Sequence, residues 1–420
     1  MGYMALVLFW MAFEYIHLNW QLSWPWLTLG NVFASHPKWV QWYEYTGTSG
    51  GTLWVLLANV LLFEMLKAIT NNRFTVKKTI WSAVVIVLPL LFSLPLIPAE
   101  KPNTQTANVV IVQPNIDPYT KFASTETANE IHKLVSLSEN AIDSNTRLVL
   151  WPETAMSGFE VFDSQLSSFR PYQPAFAFAA NHPNITLLSG IEIFKSYTQA
   201  QATPTARQYG DNTYYDDFNA AVTFKKGQPQ QYYYKSRFVP GVEKLPAFLK
   251  FMAPVFEKFG GTTGGYGSQP ESSVLQQPGQ PYIAAPVICY ESIYGEYVGT
   301  YVQKGANILT IITNDGWWGN TPGHKQLLHY ARLRAIETRR WIARSANTGI
   351  SAVINERGDI LETRPWAREA TLKYNIPTLT GITFYVKYGD ILSKAALIIA
   401  ALFVGWHLIS IFKSRFMATK

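Results

Sequence analysis

Four apolar stretches, three near the start of the chain and one just before its end, constrain this protein more than any other feature. They lie within MGYMALVLFWMAFEYIHLNW, at GTLWVLLANVLLFEMLKAI, at TIWSAVVIVLPLLFSLPLI and at AALIIAALFVGWHLISIF. A helix needs about 20 residues to cross a hydrocarbon core of ~30 Å, and each stretch reaches or nearly reaches that length. Glu14 and Glu64 interrupt the first two, so a buried helix of a water-soluble fold stays open for those as the other reading. The first stretch has no basic leader and runs on into more apolar sequence, which argues against a secretory signal. Only 15% of the 420 residues are charged, against about a quarter in ordinary soluble domains.

Loop charge predicts the direction of insertion, because basic residues are retained on the cytoplasmic side. KAITNNRFTVKK, between the second and third stretches, carries Lys67, Arg73, Lys77 and Lys78 and no acid. Lys413, Arg415 and Lys420 follow the last stretch and fall on the same side. The expected organisation is therefore membrane helices in 1–100, an extracytoplasmic domain over 101–388, and a last membrane helix with a cytoplasmic tail in 389–420. The Trp-rich loop between the first two spans belongs at the outer interface, where Trp and Tyr favour the headgroup layer. The net charge of +7 is accounted for largely by these flanks, and nucleic acid is not an expected partner. A single cysteine, Cys289, excludes an internal disulfide and any multi-cysteine zinc site.

From about 107 to 375 the chain alternates between buried strands and helices. ANVVIVQPNI, TRLVLWPET, ITLLSGIEIF, NAAVTFKKGQPQQYYYKS, IAAPVICYE, ANILTIITND and GISAVINERGDILET read as strands. STETANEIHKLVSLSENAI, GEYVGTYVQKG and HKQLLHYARLRAIETRRWIARSA read as helices. Strands in both hairpin and crossover settings imply a mixed sheet covered by helices, an α/β layered domain. KFGGTTGGYGSQPESS is glycine-rich but lacks the Gly-Lys-Ser/Thr ending of a phosphate loop, and is expected to be a mobile loop.

Three of these strands end in polar residues that packing does not require: Glu153 after LVLWP, Lys235 after QYYY and Cys289 after APVI. Strand ends are where sites collect in layered α/β folds. A thiol with an ordinary pKa of about 8.5 needs a base or a positive field to act as a nucleophile. Glu153 suits the base, Lys235 suits an oxyanion, and the dipole of the helix beginning near YGEY is expected to favour the thiolate. The plainer reading makes Cys289 a small core hydrophobe and the other two solvated strand ends.

WPET, YYKSRFVPGVEKLP, PVICYES and TNDGWWGNTPGHKQLLHYARLRAIETRRWIARSANTG together resemble the carbon–nitrogen hydrolase (nitrilase) superfamily and its Glu-Lys-Cys triad. VQPNIDPYTKF, WPWLTLGN, TGTSGGTLWVLLANVLL and YGD are similar to its membrane branch, the apolipoprotein N-acyltransferases. The resemblance implies a nitrilase-like α-β-β-α sandwich inserted between transmembrane helices. It makes Glu153 the general base, Lys235 the oxyanion stabiliser and Cys289 the nucleophile. Glu243 matches the family's additional acid. Tyr290 and Glu291 match its Cys-Tyr-Glu wording, and Asn314 and Trp317 the pocket loop, with a scaffold role as open to these last four as a direct one.

The activity implied is transfer of an acyl chain from a phospholipid, through a cysteine thioester, to the N-terminal amine of a diacylglyceryl apolipoprotein, at a bacterial inner membrane with the catalytic domain on the periplasmic side. Neither cofactor nor metal is called for. A membrane-tethered amidase hydrolysing a small amide is the alternative. The family carries further membrane helices ahead of the first one here, so a shortened chain or a reduced bundle is expected.

Overall fold

The structure, a computed structural model, describes residues 2–73, 76–98, 105–118, 124–252, 255 and 265–417. The body of the expected glycine-rich loop at 258–264, the expected domain boundary at 100/101, part of VQPNIDPYTKF and the tail residue Lys420 lie outside the described residues. Two compact units divide the chain, Met1–Pro98 with Thr383–Lys420 and Ala99–Ile382.

The first unit opens with helices α1 (Gly2–Leu18), α2 (Tyr43–Thr46), α3 (Thr48–Thr70) and α4 (Val76–Ser93). Thr48–Thr70, Val76–Leu96 and Ile391–Ser414 are long and apolar enough to cross a membrane. Helix α1 has 17 residues, a length of ~26 Å, and so falls short of a full ~30 Å core. Its Glu14 is not stranded: Trp10 Nε1 (3.0 Å), Leu29 N (2.9 Å) and Thr52 Oγ1 (2.7 Å) all donate to the carboxylate. Pro89 lies inside α4 and cannot donate to the carbonyl four residues back. Trp54 of α3 fills that vacancy, its Nε1 donating to Val85 O at 2.8 Å. The interruption therefore joins two helices rather than breaking one.

The second unit contains two sheets. Its strands and helices run β1 (Thr106–Gln113), α5 (Ser124–Glu139), β2 (Thr146–Leu150), α6 (Gln173–Asn181), β3 (Thr186–Thr198), β4 (Arg207–Gly210), β5 (Thr213–Phe224) and β6 (Tyr232–Tyr234). They continue with β7 (Ala284–Ile288), α7 (Gly295–Gln303), β8 (Ile308–Thr313), α8 (Pro322–Thr338), β9 (Ile342–Ala346), β10 (Ala352–Ile354), β11 (Ile360–Thr363) and β12 (Ala370–Pro377). The first sheet runs β12-β1-β2-β3-β5-β4 with β6 also on β5, and the second runs β11-β10-β9-β8-β7. In the first, a parallel centre (β1-β2-β3) is flanked on both sides by antiparallel strands; in the second, the parallel trio β7-β8-β9 runs from one edge and continues into antiparallel β10 and β11. The sheets meet through β1 on β9 and β5 on β7, with α5 and α6 packed on the first sheet, α7 on β7 of the second, and α8 on α7 and the turn that follows β7. That is the α-β-β-α sandwich.

Strands β7, β8 and β9 are buried along their whole length and β1, β2 and β3 over most of theirs, and Trp151, Tyr172, Phe178 and Phe224 are among the large side chains of the core beneath α5 and α6. One expectation is corrected. HKQLLHYARLRAIETRRWIARSA is not one helix: α8 stops at Thr338, Arg339 turns left-handed at φ +49°, and IARSA becomes β9. Arg340 stabilises the break, its guanidinium donating to the carbonyls of Ala306 (2.9 Å), Thr338 (3.1 Å) and Gly381 (2.7 Å). The five residues of β9 are all buried between β8 and β10, where only an extended segment fits.

The chain re-enters the first unit before α9 (Phe384–Tyr388) and α10 (Ile391–Met417). The boundary at 382/383 precedes the expected 388/389 because α9 packs with α2. Gly47, at φ +61°, lets that contact form: a Cβ there would lie 2.3 Å from the Tyr385 ring. Helix α10 packs on α1.

Candidate active site

Glu153, Lys235 and Cys289 follow the carboxyl ends of β2, β6 and β7, three strands that the fold gathers at one place. Glu153 is placed by a close backbone approach. Gly190 of β3 donates its N–H to Pro152 O at 3.1 Å. A Cβ at Gly190 would sit 2.5 Å from Thr154 N and 2.6 Å from Glu153 Cα, so no side chain fits. Thr154 then turns left-handed at φ +46°. The Glu153 carboxylate accepts Lys235 Nζ at 2.9 Å and Asn219 Nδ2 at 2.8 Å on one oxygen, and the backbone N–H of Asn314 at 3.0 Å on the other.

Lys235 is held from both directions. Its N–H donates to Asn219 O of β5 at 2.9 Å, and its ammonium lies 2.6 Å from Glu243 Oε1 as well as beside Glu153. Glu243 is fixed in turn by the Val239 N–H at 2.8 Å. Burial alone would push the ammonium pKa down, but the Glu153 and Glu243 carboxylates raise it well above the ordinary lysine value. Lys235 is therefore a permanent buried cation.

Cys289 has φ +51°, a conformation costing an L-residue roughly 1–2 kcal/mol. The chain leaves β7 there and coils at once into a tight turn, Cys289–Ile293. Ser292 Oγ donates to Cys289 O at 2.7 Å, and the Arg334 guanidinium of α8 donates to the carbonyl of Ile293 while paired with Glu337 at 2.6 Å. The expectation of a lowered thiol pKa is corrected. Burial first, and then the Glu153 carboxylate, push the Cys289 thiol up, against the pull of Lys235 and a hydrogen bond to Thr313. Helix α7 begins only at Gly295, beyond the turn, so its dipole does not bear directly on the sulfur. The Cys289 thiol therefore holds its proton more tightly than a free cysteine does, with the Glu153 carboxylate as one cause.

Glu291 holds backbone N–H groups on two segments. Fully buried, it accepts from Tyr233 Oη (2.6 Å), Ser236 N (2.7 Å), Arg237 N (3.2 Å), Ile288 N (2.9 Å) and Tyr301 Oη (3.4 Å). It ties the segment after Lys235 to the turn at Cys289. Tyr290 is buried with its ring 5.6 Å from Tyr294. Asn314 is buried, contributing its backbone N–H to Glu153, while its Oδ1 accepts Asn347 Nδ2 at 3.1 Å. Trp317 is the outlier at 49% exposed, on the turn Asp315–Trp318.

Asn219 escaped the sequence reading. It bridges Glu153 and, at 3.4 Å, Glu243, and it is visible only as one amide in the buried run FNAAVTF. Asp315 and Arg344, paired at 2.9 Å beneath the Asn314 turn, escaped it too. A buried ammonium between two carboxylates, adjoining a thiol on a strained turn, can perform nucleophilic acyl chemistry: a base for the sulfur proton and a cation for an oxyanion.

Residues 108–381 match the Carbon-nitrogen hydrolase family, and residues 1–61 match the Apolipoprotein N-acyltransferase N-terminal domain. The apolipoprotein N-acyltransferase of Chlorobaculum tepidum is 31% identical over 417 residues, covering 94% of this chain and 75% of that one. That of Bordetella bronchiseptica is 25% identical over 392 residues, covering 91% of this chain and 69% of its own. Among solved structures, Saccharomyces cerevisiae Nit3, of the nitrilase superfamily, is similar at TM-score 0.46 and 16% identity, covering 67% of this chain and 93% of its own.

Proposed function

The chain belongs to the apolipoprotein N-acyltransferase family of carbon–nitrogen hydrolases, and from that membership and the geometry of its site we propose that it N-acylates lipoproteins by two successive acyl transfers through Cys289. The observation that carries this is the Lys235 ammonium held between Glu153 and Glu243 after β6, with Cys289 on the left-handed turn after β7.

In the first transfer Cys289 Sγ attacks the sn-1 ester carbonyl of a phospholipid while Glu153 takes the thiol proton. The carbonyl oxygen becomes an oxyanion held by Lys235 and a backbone N–H of the turn beginning at Cys289. As the ester C–O bond breaks, Glu153 returns its proton to the glycerol oxygen, and a lysophospholipid leaves. In the second, the α-amine of an S-diacylglyceryl cysteine attacks the thioester carbonyl. Glu153 takes a proton from that amine, the C–S bond breaks, and the thiolate is reprotonated. Glu243 holds Lys235 in place, and with Lys235 charged throughout, Glu153 remains free to shuttle the proton.

The three helices of membrane-spanning length support a membrane location. Lys67, Arg73, Lys77, Lys78 and Lys413 support a bacterial inner-membrane orientation with residues 105–382 on the periplasmic side. Both substrates carry lipid chains, so a membrane-anchored enzyme meets them where they reside. The test is incubation of the purified protein with acyl-labelled phospholipid. Hydroxylamine-sensitive label on the protein, absent in Cys289→Ala and discharged by a diacylglyceryl peptide, supports the proposal. Ammonia release from small amides without any lipid label refutes it in favour of an amidase.

A further inference from the structure

Arg237 stands apart from the other buried or half-buried arginines of the second unit. Arg334 and Arg344 are paired with carboxylates, and Arg340 is spent on carbonyls. The guanidinium of Arg237 has no ion pair or hydrogen bond among the described residues, and its Nε is buried without a partner. It is nevertheless held in place. Its backbone N–H donates to Glu291 at 3.2 Å, and its guanidinium carbon lies over the rings of Tyr297 (5.1 Å to the centroid) and Tyr294 (5.9 Å). A cation–π contact satisfies none of the guanidinium's ordinary hydrogen bonds, so its N–H donors stay available. A permanent cation kept partly from water without a counter-charge is unfavourable until an anion arrives.

We propose that Arg237 binds the phosphate of the acyl donor, making it the headgroup-recognition residue of the site. The inference rests on the phospholipid reading above. Arg237 follows Lys235 by two residues, which span at most about 7 Å. In a glycerophospholipid a single glycerol unit separates the phosphate from the sn-1 ester carbonyl that Lys235 serves. A phosphate diester offers two anionic oxygens to a forked donor, the geometry at which arginine excels. The diacylglyceryl acceptor has no phosphate, so Arg237 acts in the first transfer and not the second.

The experiment compares single-turnover acylation of Cys289 in the full-length protein, in detergent micelles, by phosphatidylglycerol and by p-nitrophenyl palmitate, which carries an acyl ester but no phosphate. In Arg237→Gln the ratio of the phospholipid rate to the p-nitrophenyl ester rate is expected to fall about tenfold or more, the value of one charge-assisted hydrogen-bonded contact. Transfer from the preformed thioester to a diacylglyceryl peptide is expected to keep its wild-type rate. An unchanged ratio overturns the proposal. If Arg237→Gln does not accumulate, Arg237→Lys carries the test: it keeps the charge and loses the fork, so the ratio falls severalfold, and an unchanged ratio again overturns the idea. A free phosphate ion as the true ligand would appear as stabilisation of the resting enzyme by inorganic phosphate that Arg237→Gln abolishes, with the donor ratio unmoved, and would overturn the headgroup assignment. Failure of wild type to be acylated by phosphatidylglycerol refutes the donor reading itself, an outcome distinct from loss of the Arg237 effect.

Discussion

Glu291 accepts the backbone N–H of Ser236 at 2.7 Å while its other oxygen accepts that of Ile288 at 2.9 Å, so one buried carboxylate clasps the residue after Lys235 and the residue before Cys289. Cation and sulfur follow strands of different sheets, and this side chain ties the two segments together. Burial pushes the Glu291 carboxyl up, with Tyr233, Ser236 and Ile288 pulling back.

Glu291→Gln follows as the first prediction. An amide must turn two hydrogens toward groups that are themselves donors, leaving N–H groups unsatisfied. The expected loss is about 2–4 kcal/mol of stability, read as a lower unfolding midpoint in denaturant. Acylation of Cys289 by phospholipid should fall with it, even at temperatures where the variant remains folded.

Gly190→Ala tests the placement of Glu153. The added Cβ would meet Pro152 O and Thr154 N, both at 2.5 Å, and these are backbone atoms that cannot rotate away. The Glu153 turn must shift, and a displacement of about 1 Å at a catalytic group is worth roughly a hundredfold in rate. Single-turnover acylation should drop by that order, whereas alkylation of Cys289 by iodoacetamide, which draws on the thiolate that the solvent pH provides rather than on Glu153, should change far less. Equal loss in both assays would show that the substitution damages the whole domain.

Much of the candidate site was legible because apolar runs end abruptly. LVLWP, QYYY and APVI each stop at a polar residue, and Glu153, Lys235 and Cys289 are the three that meet. Asn219 was not legible, because a lone amide within a buried strand carries no periodic signal. Strand β9 was hidden for a related reason. RRWIARSA keeps charges that suggest a solvated helix face, and only the fold shows Arg344 paired with Asp315 and Arg340 capping carbonyls. The stop at Arg339 lacks the glycine or asparagine that normally marks a left-handed residue. The thiol pKa was misjudged in sign because distance from a helix start and depth of burial are properties of the folded chain.

That sign yields a pH prediction. A raised thiol pKa means that at neutral pH less thiolate is present than in a free cysteine, so alkylation of resting Cys289 should climb as pH rises and still be climbing above the ordinary thiol range of about 8.5. The Glu153 carboxylate is one cause of the rise, so Glu153→Gln should lower the thiol pKa and accelerate alkylation at pH values near 8. The same substitution removes the proposed base and should abolish acyl transfer. Opposite responses in the two assays identify Glu153 as a proton acceptor. A parallel fall in both would mean that it only positions the sulfur.

Lys235→Met removes the cation and leaves Glu153 and Glu243 facing each other without it. Their oxygens retain Asn219, Asn314 N and Val239 N, but no positive charge. Breaking a buried ion pair by removing one partner costs about 3–5 kcal/mol, and loss of an oxyanion donor costs roughly a hundredfold to a thousandfold in rate. The two effects separate in the double variant Lys235→Met with Glu243→Gln, which relieves the repulsion between the carboxylates. Its unfolding midpoint should recover part of the way to wild type, the non-additivity expected of side chains sharing one network. Its acylation rate should stay as low as that of Lys235→Met alone, because nothing has been returned to the oxyanion. Recovery of stability and rate together would mean that Lys235 serves only to neutralise its two acids.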